Sequence, residues 1–401
     1  MMLSSPWRAD FPALANLAHQ GLVYLDSAAT AQKPQPLLDA LQHYYAQGVA
    51  NVHRAQHRLG NRTTQAFEQV REQVAHWLQA PVDSEIIFTR GTTEAINLLA
   101  YGLEAQIQPG DELVISALEH HANLLPWQQL ALRRGARLVV LPLDASGQLD
   151  LVAAQSLIGP RTRTLAISQL SNVLGNWLPL KPLIQQAQAQ GAWVVVDGAQ
   201  GIVHQPPNLK QLGCDFYVFS SHKVYGPDGL GVLYGRRAAL AQLQPWQFGG
   251  EMLDHTDYYR AQFRPAPLGF EAGTPPIASV LGFAATLNYL YQIDQAAWIA
   301  HEQRLHSNLL TGLQQRSGIR ILGQPQAALV SFTHESVHPS DLAQLISEQG
   351  VAIRTGSHCA QPLMQHLGIN GALRVSLGLY NDQQDLERFF QALDQALELL
   401  V

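Results

Sequence analysis

The stretch that most restricts the fold is Trp193-Val194-Val195-Val196-Asp197, apolar and β-branched throughout and closed by an acid. A run without alternation reads as a strand buried on both faces, which is what a parallel sheet covered by helices requires. Asp215-Phe216-Tyr217-Val218-Phe219 repeats the pattern and hands the chain to Ser220-Ser221-His222-Lys223. In an open α/β sheet the carboxyl ends of the strands are where ligands bind. Asp197 and Lys223 therefore fall on one edge of one sheet.

The rest of the chain extends that sheet. Strands are expected at Ile86 to Thr89, Leu113 to Ser116, Leu138 to Leu141 and Thr164 to Gln169. Helices are expected between them: Thr63 to Leu78, Thr92 to Tyr101, Ala122 to Arg134, Leu151 to Ile158 and Lys181 to Gln190. Leu230 to Tyr234 should add an antiparallel strand beside the one ending at Phe219. Such alternation means a mainly parallel wound sheet with helices on both faces, an α/β fold. Past Gly273-Thr274-Pro275-Pro276 the texture changes: a long helix at Ile277 to Tyr291, then strands at Ala328 to Phe332 and Leu373 to Ser376. Leu386, Phe390, Leu393, Leu397 and Leu400 are spaced as one stripe of a closing helix. Two domains are expected, a large α/β domain over 21–275 and a smaller α+β domain from 1–20 with 276–401.

Composition narrows the function. A chain of 401 residues, 47% apolar and 14% charged, is ordinary for an enzyme with a large core. A formal charge of −6 gives no reason to expect nucleic acid or an acidic membrane as partner. No stretch approaches the roughly 20 apolar residues of a membrane span, and the start lacks a signal-peptide pattern. With two cysteines, Cys214 and Cys359, there is no disulfide framework, and a cytoplasmic enzyme is expected.

A lysine just past a buried strand, among hydroxyl and imidazole donors and near a strand-end acid, fits pyridoxal 5'-phosphate. That cofactor needs an amine for its aldehyde, an acid for its ring nitrogen and donors for its phosphate. Arg90-Gly91-Thr92-Thr93-Glu94 lies between a strand and a helix, so Thr92 and Thr93 could offer hydroxyls and helix-start N–H groups to a phosphate. The same pattern also serves as a plain cap. In Glu119-His120-His121 one imidazole could stack on a flat ring, and Asn172 and Gln200 stand where ring substituents or substrate could be met. His53 and His57, like His334 and His338, are four apart, but no carboxylate or cysteine completes a ligand set, so no metal is expected. Cys214 precedes a strand and reads as a buried small residue. Cys359 lies in a polar turn, Arg354-Thr355-Gly356-Ser357-His358-Cys359, where exposure, His358 and a nearby arginine would favour its thiolate. Arg354 and Arg374 could each grip a carboxylate bidentately.

Taken together these segments resemble the class V aminotransferase family of fold-type I pyridoxal-phosphate enzymes, and within it the cysteine desulfurases of the SufS/CsdA type. The likeness runs through Leu25-Asp26-Ser27-Ala28-Ala29, Asn51-Val52-His53-Arg54, Arg90 to Glu94, Glu119 to Asn123, Val196 to Gln200, Ser221-His222-Lys223, Phe270 to Pro275 and Arg354 to Cys359. It implies that Lys223 carries the cofactor, Asp197 pairs with its ring nitrogen, Gln200 serves its ring oxygen and His120 covers its face. Thr93, Ser220 and His222 would surround the phosphate, and Thr274 would reach a neighbouring subunit's cofactor in a homodimer. Arg374 would hold the substrate carboxylate with Asn172 beside it, His53 could reach the site, and Cys359 would take sulfur from L-cysteine. Ser221 departs from the glycine many relatives carry. The compact segment around Cys359 implies a separate acceptor protein of the SufE/CsdE kind. The alternatives on this scaffold are a selenocysteine lyase, or another lyase or aminotransferase that does not use Cys359.

Overall fold

The computed structural model describes residues 4–54 and 56–401. Seven strands form the main sheet: β1 (Ser84–Thr89), β2 (Glu112–Ser116), β3 (Arg137–Leu141), β4 (Thr162–Ser168), β5 (Trp193–Asp197), β6 (Phe216–Ser220) and β7 (Gly231–Arg236). Their order is β1-β7-β6-β5-β4-β2-β3, and only β7 runs against the rest. The carboxyl ends of β1 through β6 therefore share one edge.

The strand period of two divides the side chains between two cores. Val194 and Val196 of β5 join Tyr217 and Phe219 of β6 in one cluster, while Val195, Phe216 and Val218 join the other. Each such side chain, fully buried, stabilises by ~1.5–3 kcal/mol. The expected strand and helix positions hold, with local differences. The helix expected from Ala122 runs over Leu125–Arg134, because Pro126, having no N–H, fits its first turn; His121–Asn123 forms a separate 3-10 turn.

A second sheet holds β8 (Ile319–Ile321), β9 (Leu329–His334), β10 (Arg354–Gly356) and β11 (Ala372–Ser376), ordered β8-β9-β11-β10 and antiparallel throughout. Val330, Phe332, Leu373 and Val375 pack there against the closing helix, Gln383–Leu400. That helix buries Leu386, Phe389, Ala392, Leu393 and Ala396. The expected stripe is thus corrected by one position: Phe390 is only partly covered and Leu400 is exposed. Val23–Tyr24 pairs in parallel with Val351–Ala352 as a separate two-stranded sheet, and a parallel bridge from Asp26 to Ser376 joins the early chain to β11 of the second sheet. The helix Ile277–Tyr291 packs instead on Gln35–Ala46 and Arg58–Trp77. Among the described residues, no helix is long and apolar enough to cross a membrane.

Candidate active site

Strand ends deliver the site. A cavity of about 260 Å³ opens at the carboxyl edge of the main sheet. Its wall contains Thr92 and Thr93 after β1, His120 after β2, Ser168 and Asn172 at and after β4, and Asp197 and Gln200 at and after β5. Ser220, His222 and Lys223 enter from β6, and Arg354, Cys359 and Arg374 from the second sheet. Twelve of the fourteen residues expected from the sequence are brought together here, counted from those lining the cavity. His53 and Thr274 are not among them. His53 turns to Glu68, whose carboxylate lies 3.0 Å from its Nε2, and Thr274 Oγ1 accepts from Asn51 Nδ2 at 3.4 Å. The paired histidines suggested by spacing also do other work. His57 accepts from Gly60 N–H and His338 from Ser340 N–H, each capping a helix.

The threonine end is built by close packing. A β-carbon at Gly231 would fall 2.4 Å from the Cα of Gly91, so glycine there lets β7 pass under the helix start. Ser220 Oγ then accepts from the Thr92 N–H and contacts Thr92 Oγ1, both at 2.8 Å. Gathered donors at the start of an 11-residue helix suit a phosphate. Ser221 is fully buried, and its hydroxyl lies between the Pro227 carbonyl at 2.5 Å and the Leu230 carbonyl at 3.0 Å, closing the loop that presents Lys223.

Electrostatics at the centre are set by burial. Lys223 is pushed down to about 8 by loss of solvent, with Asp197 pulling the other way and Arg374 assisting. Asp197 is pushed up by burial; its Oδ1 accepts only a backbone bond from Ala199 N–H, at 2.9 Å. His120 falls to about 3 and His222 to about 4, burial leading in both, so both rings are neutral at pH 7. Gln200 donates to the Ala28 carbonyl at 2.9 Å, leaving Oε1 buried without a protein partner.

Arg374 is 3% exposed and still has a free donor. Its Nη1 donates to the Asn172 carbonyl at 3.0 Å and its Nη2 to Asp26 Oδ1 at 3.2 Å, while Nε has no partner. A buried guanidinium with an unused N–H is what an anionic substrate group needs. Arg354 stands opposite Arg374 in the β10–β11 register, more exposed, with Asp26 at 3.9 Å. Asp26, within the Leu25 to Ala29 segment, had no role expected from the sequence, although it ends an apolar run just as Asp197 does.

The cysteine segment differs from the expected plain turn. Arg354–Gly356 is an edge strand, and beyond it His358 (φ 51°) and Cys359 (φ 56°) are both left-handed. Cys359 is exposed, whereas His358 is buried and bonds to the Ala372 carbonyl at 3.0 Å. Burial pushes His358 down to about 3, so it supplies no positive charge to the neighbouring thiol. The expectation that it would is corrected; nearby charge comes from arginine. Cys214 is buried beneath the sheet, as read.

The family model for aminotransferase class-V matches residues 23–389. A relative from Pseudomonas putida named probable cysteine desulfurase is 65% identical over 400 residues, covering all of both chains. A Yersinia pestis protein named cysteine desulfurase is 44% identical over 98% of each chain. The crystal structure of the cysteine desulfurase CsdA from Escherichia coli superposes with a TM-score of 0.93 at 43% identity, again covering both chains completely. A family model spanning nearly the whole chain, joined to full-length relatives of this similarity, places the protein in the class V aminotransferase family.

Proposed function

We propose that the protein is a pyridoxal-phosphate-dependent cysteine desulfurase, converting L-cysteine to L-alanine and moving the sulfur to Cys359. The observation that carries this is an exposed thiol, Cys359, on the wall of the cavity that holds half-buried Lys223 and buried Asp197 and Arg374. The names of the full-length relatives agree with it.

The donor set fits the cofactor: a partly desolvated amine, an acid bonded to no cation among the described residues, and a hydroxyl-lined helix start. Lys223 would hold it covalently, Asp197 would face its ring nitrogen, His120 its ring and Gln200 its ring oxygen. Thr92, Thr93, Ser220 and His222 would surround its phosphate. When bound, it supplies an electron sink next to the substrate's α-carbon. Arg374, with Asn172 beside it and Arg354 at the rim, fixes the substrate carboxylate. Lys223, its affinity for protons lowered, takes the α-proton and later returns a proton to the product. The Cys359 thiolate attacks the substrate sulfur, and an S–S bond forms as the carbon–sulfur bond breaks. The electron pair of the broken bond goes to the carbon skeleton, which leaves as alanine after protonation. Cys359 is left as a persulfide, so atoms and electrons balance without another reactant.

A cysteine tethered at both sides of its turn cannot carry sulfur far, which supports delivery to a docking acceptor of the SufE/CsdE kind. A homodimer belongs to the same reading. An apolar cavity of about 860 Å³, lined by Tyr101, Leu125 and Trp246, shares Thr93 and His120 with the site, and Tyr258 stands fully exposed on a hairpin. A second copy would cover such surfaces. The cytoplasm would keep the thiol reduced. Incubation with L-cysteine should give alanine together with a mass shift of one sulfur on Cys359, lost in Cys359→Ala. Undiminished alanine from that variant would favour a lyase that does not use the thiol.

A further inference from the structure

The two histidines after β2 divide their contacts. His120 lines the cavity, while His121 clamps the cysteine turn from both sides. The backbone N–H of His121 donates to the Cys359 carbonyl at 2.7 Å, and its ring Nε2 accepts from the Gln361 N–H at 3.1 Å. The turn needs holding, because two consecutive residues with side chains, His358 and Cys359, adopt a left-handed backbone that glycine takes far more easily. On the other flank, Asn172 Nδ2 donates to the His358 carbonyl at 2.8 Å. No residue besides His121 bonds to the Gln361 N–H among the described contacts. The base of this clamp is rigid. Glu119 is buried and accepts from Ser116, Asn123 and Ser168, tying the 119–123 turn to the ends of β2 and β4.

We propose that His121 is a positioning residue for Cys359: its ring Nε2 accepts the Gln361 N–H and keeps the thiol in register with the substrate's sulfur. The proposal rests on the desulfurase reading for its kinetic consequence, but not for the clamp itself. Loss of the ring acceptor leaves the Gln361 N–H without its partner and lets the left-handed turn relax, so the sulfur-transfer step slows while substrate binding at Arg374 does not change.

The test compares His121→Ala and His121→Gln in the cofactor-loaded enzyme, since a glutamine amide oxygen can replace Nε2 as acceptor. In His121→Ala, kcat with L-cysteine should fall roughly fivefold or more, the scale of one lost hydrogen bond, with KM and the cofactor absorbance unchanged. Amide hydrogen exchange across residues 357–363 should accelerate. In His121→Gln both should return to within about twofold of wild type, a scale small beside the expected loss. Wild-type exchange and kcat in His121→Ala would overturn the proposal, and so would a His121→Gln enzyme as slow as the alanine variant. If the wild-type enzyme releases no alanine from L-cysteine, the functional reading fails, and the exchange comparison alone decides whether His121 holds the turn. Thermal unfolding of each variant shows that the fold is intact.

Discussion

Arg374 and Asn172 are joined by a hydrogen bond from Nη1 to the Asn172 carbonyl at 3.0 Å, and the Asn172 side chain donates onward to the carbonyl of His358. The group that would grip the substrate and the turn that carries Cys359 are thus one bonded unit spanning both sheets. Asp26 completes it, 3.2 Å from Nη2. Removing the guanidinium deletes the anion site without exposing a core. Arg374→Ala should therefore raise the KM for L-cysteine by roughly 10- to 100-fold, the range for a lost charged hydrogen bond in a dry site. Asp26→Asn should have a smaller effect of the same sign. An unchanged KM in Arg374→Ala would shift the carboxylate to Arg354.

Lys223 lies at the cavity wall and belongs to neither sheet core. Lys223→Ala should abolish turnover and the covalent cofactor absorbance while leaving the thermal unfolding midpoint within a few degrees. The measurement is an absorbance spectrum and a melt on the same purified sample. A folded variant that still turns over L-cysteine would remove Lys223 from the mechanism.

The legible part of this protein was the part fixed by local pattern. An unbroken apolar run such as Val194-Val195-Val196 has one reading, a strand covered on both faces, and the acid or lysine that follows it falls at the sheet edge by necessity. What escaped was set by contacts between distant segments. Asp26 matters because Arg374, 348 residues later, leans on it. His358 read as a neighbour favouring the Cys359 thiolate because its burial comes from the packing of β11, which the sequence around it does not encode. His53 read as a site residue because its pairing with Glu68 depends on a helix face 15 residues further on.

Thr274 provides a test of assembly, since it lies outside its own chain's cavity. If it completes the partner's phosphate site, each active site combines Lys223 of one subunit with Thr274 of the other. Thr274→Ala alone should weaken cofactor retention, read by dialysis and absorbance. Mixed with Lys223→Ala under conditions of subunit exchange, hybrid dimers would hold one site with both lesions and one with neither. Activity in the mixture should then exceed both parents. Mixtures that never exceed the parents, despite demonstrated exchange, would exclude a shared site.

Glu119 gives a pH dependence whose sign follows from burial. Four donor contacts surround its carboxyl, from Ser116, Asn123 and, twice, Ser168, yet loss of solvent outweighs them and pushes it up to about 7. In the unfolded chain a glutamate ionises near 4.5. Between those values the native state holds a proton that the unfolded state has released. Its contribution to stability is therefore full below the unfolded value and is lost as pH rises through about 7, by at most ~1.4 kcal/mol per pH unit. Glu119→Gln cannot ionise and lacks this slope. The difference in unfolding midpoint between wild type and Glu119→Gln should accordingly move against the wild type from pH 5 to pH 8, then level off. A difference that stays constant across that range would mean that the four donors, rather than burial, set the charge of Glu119.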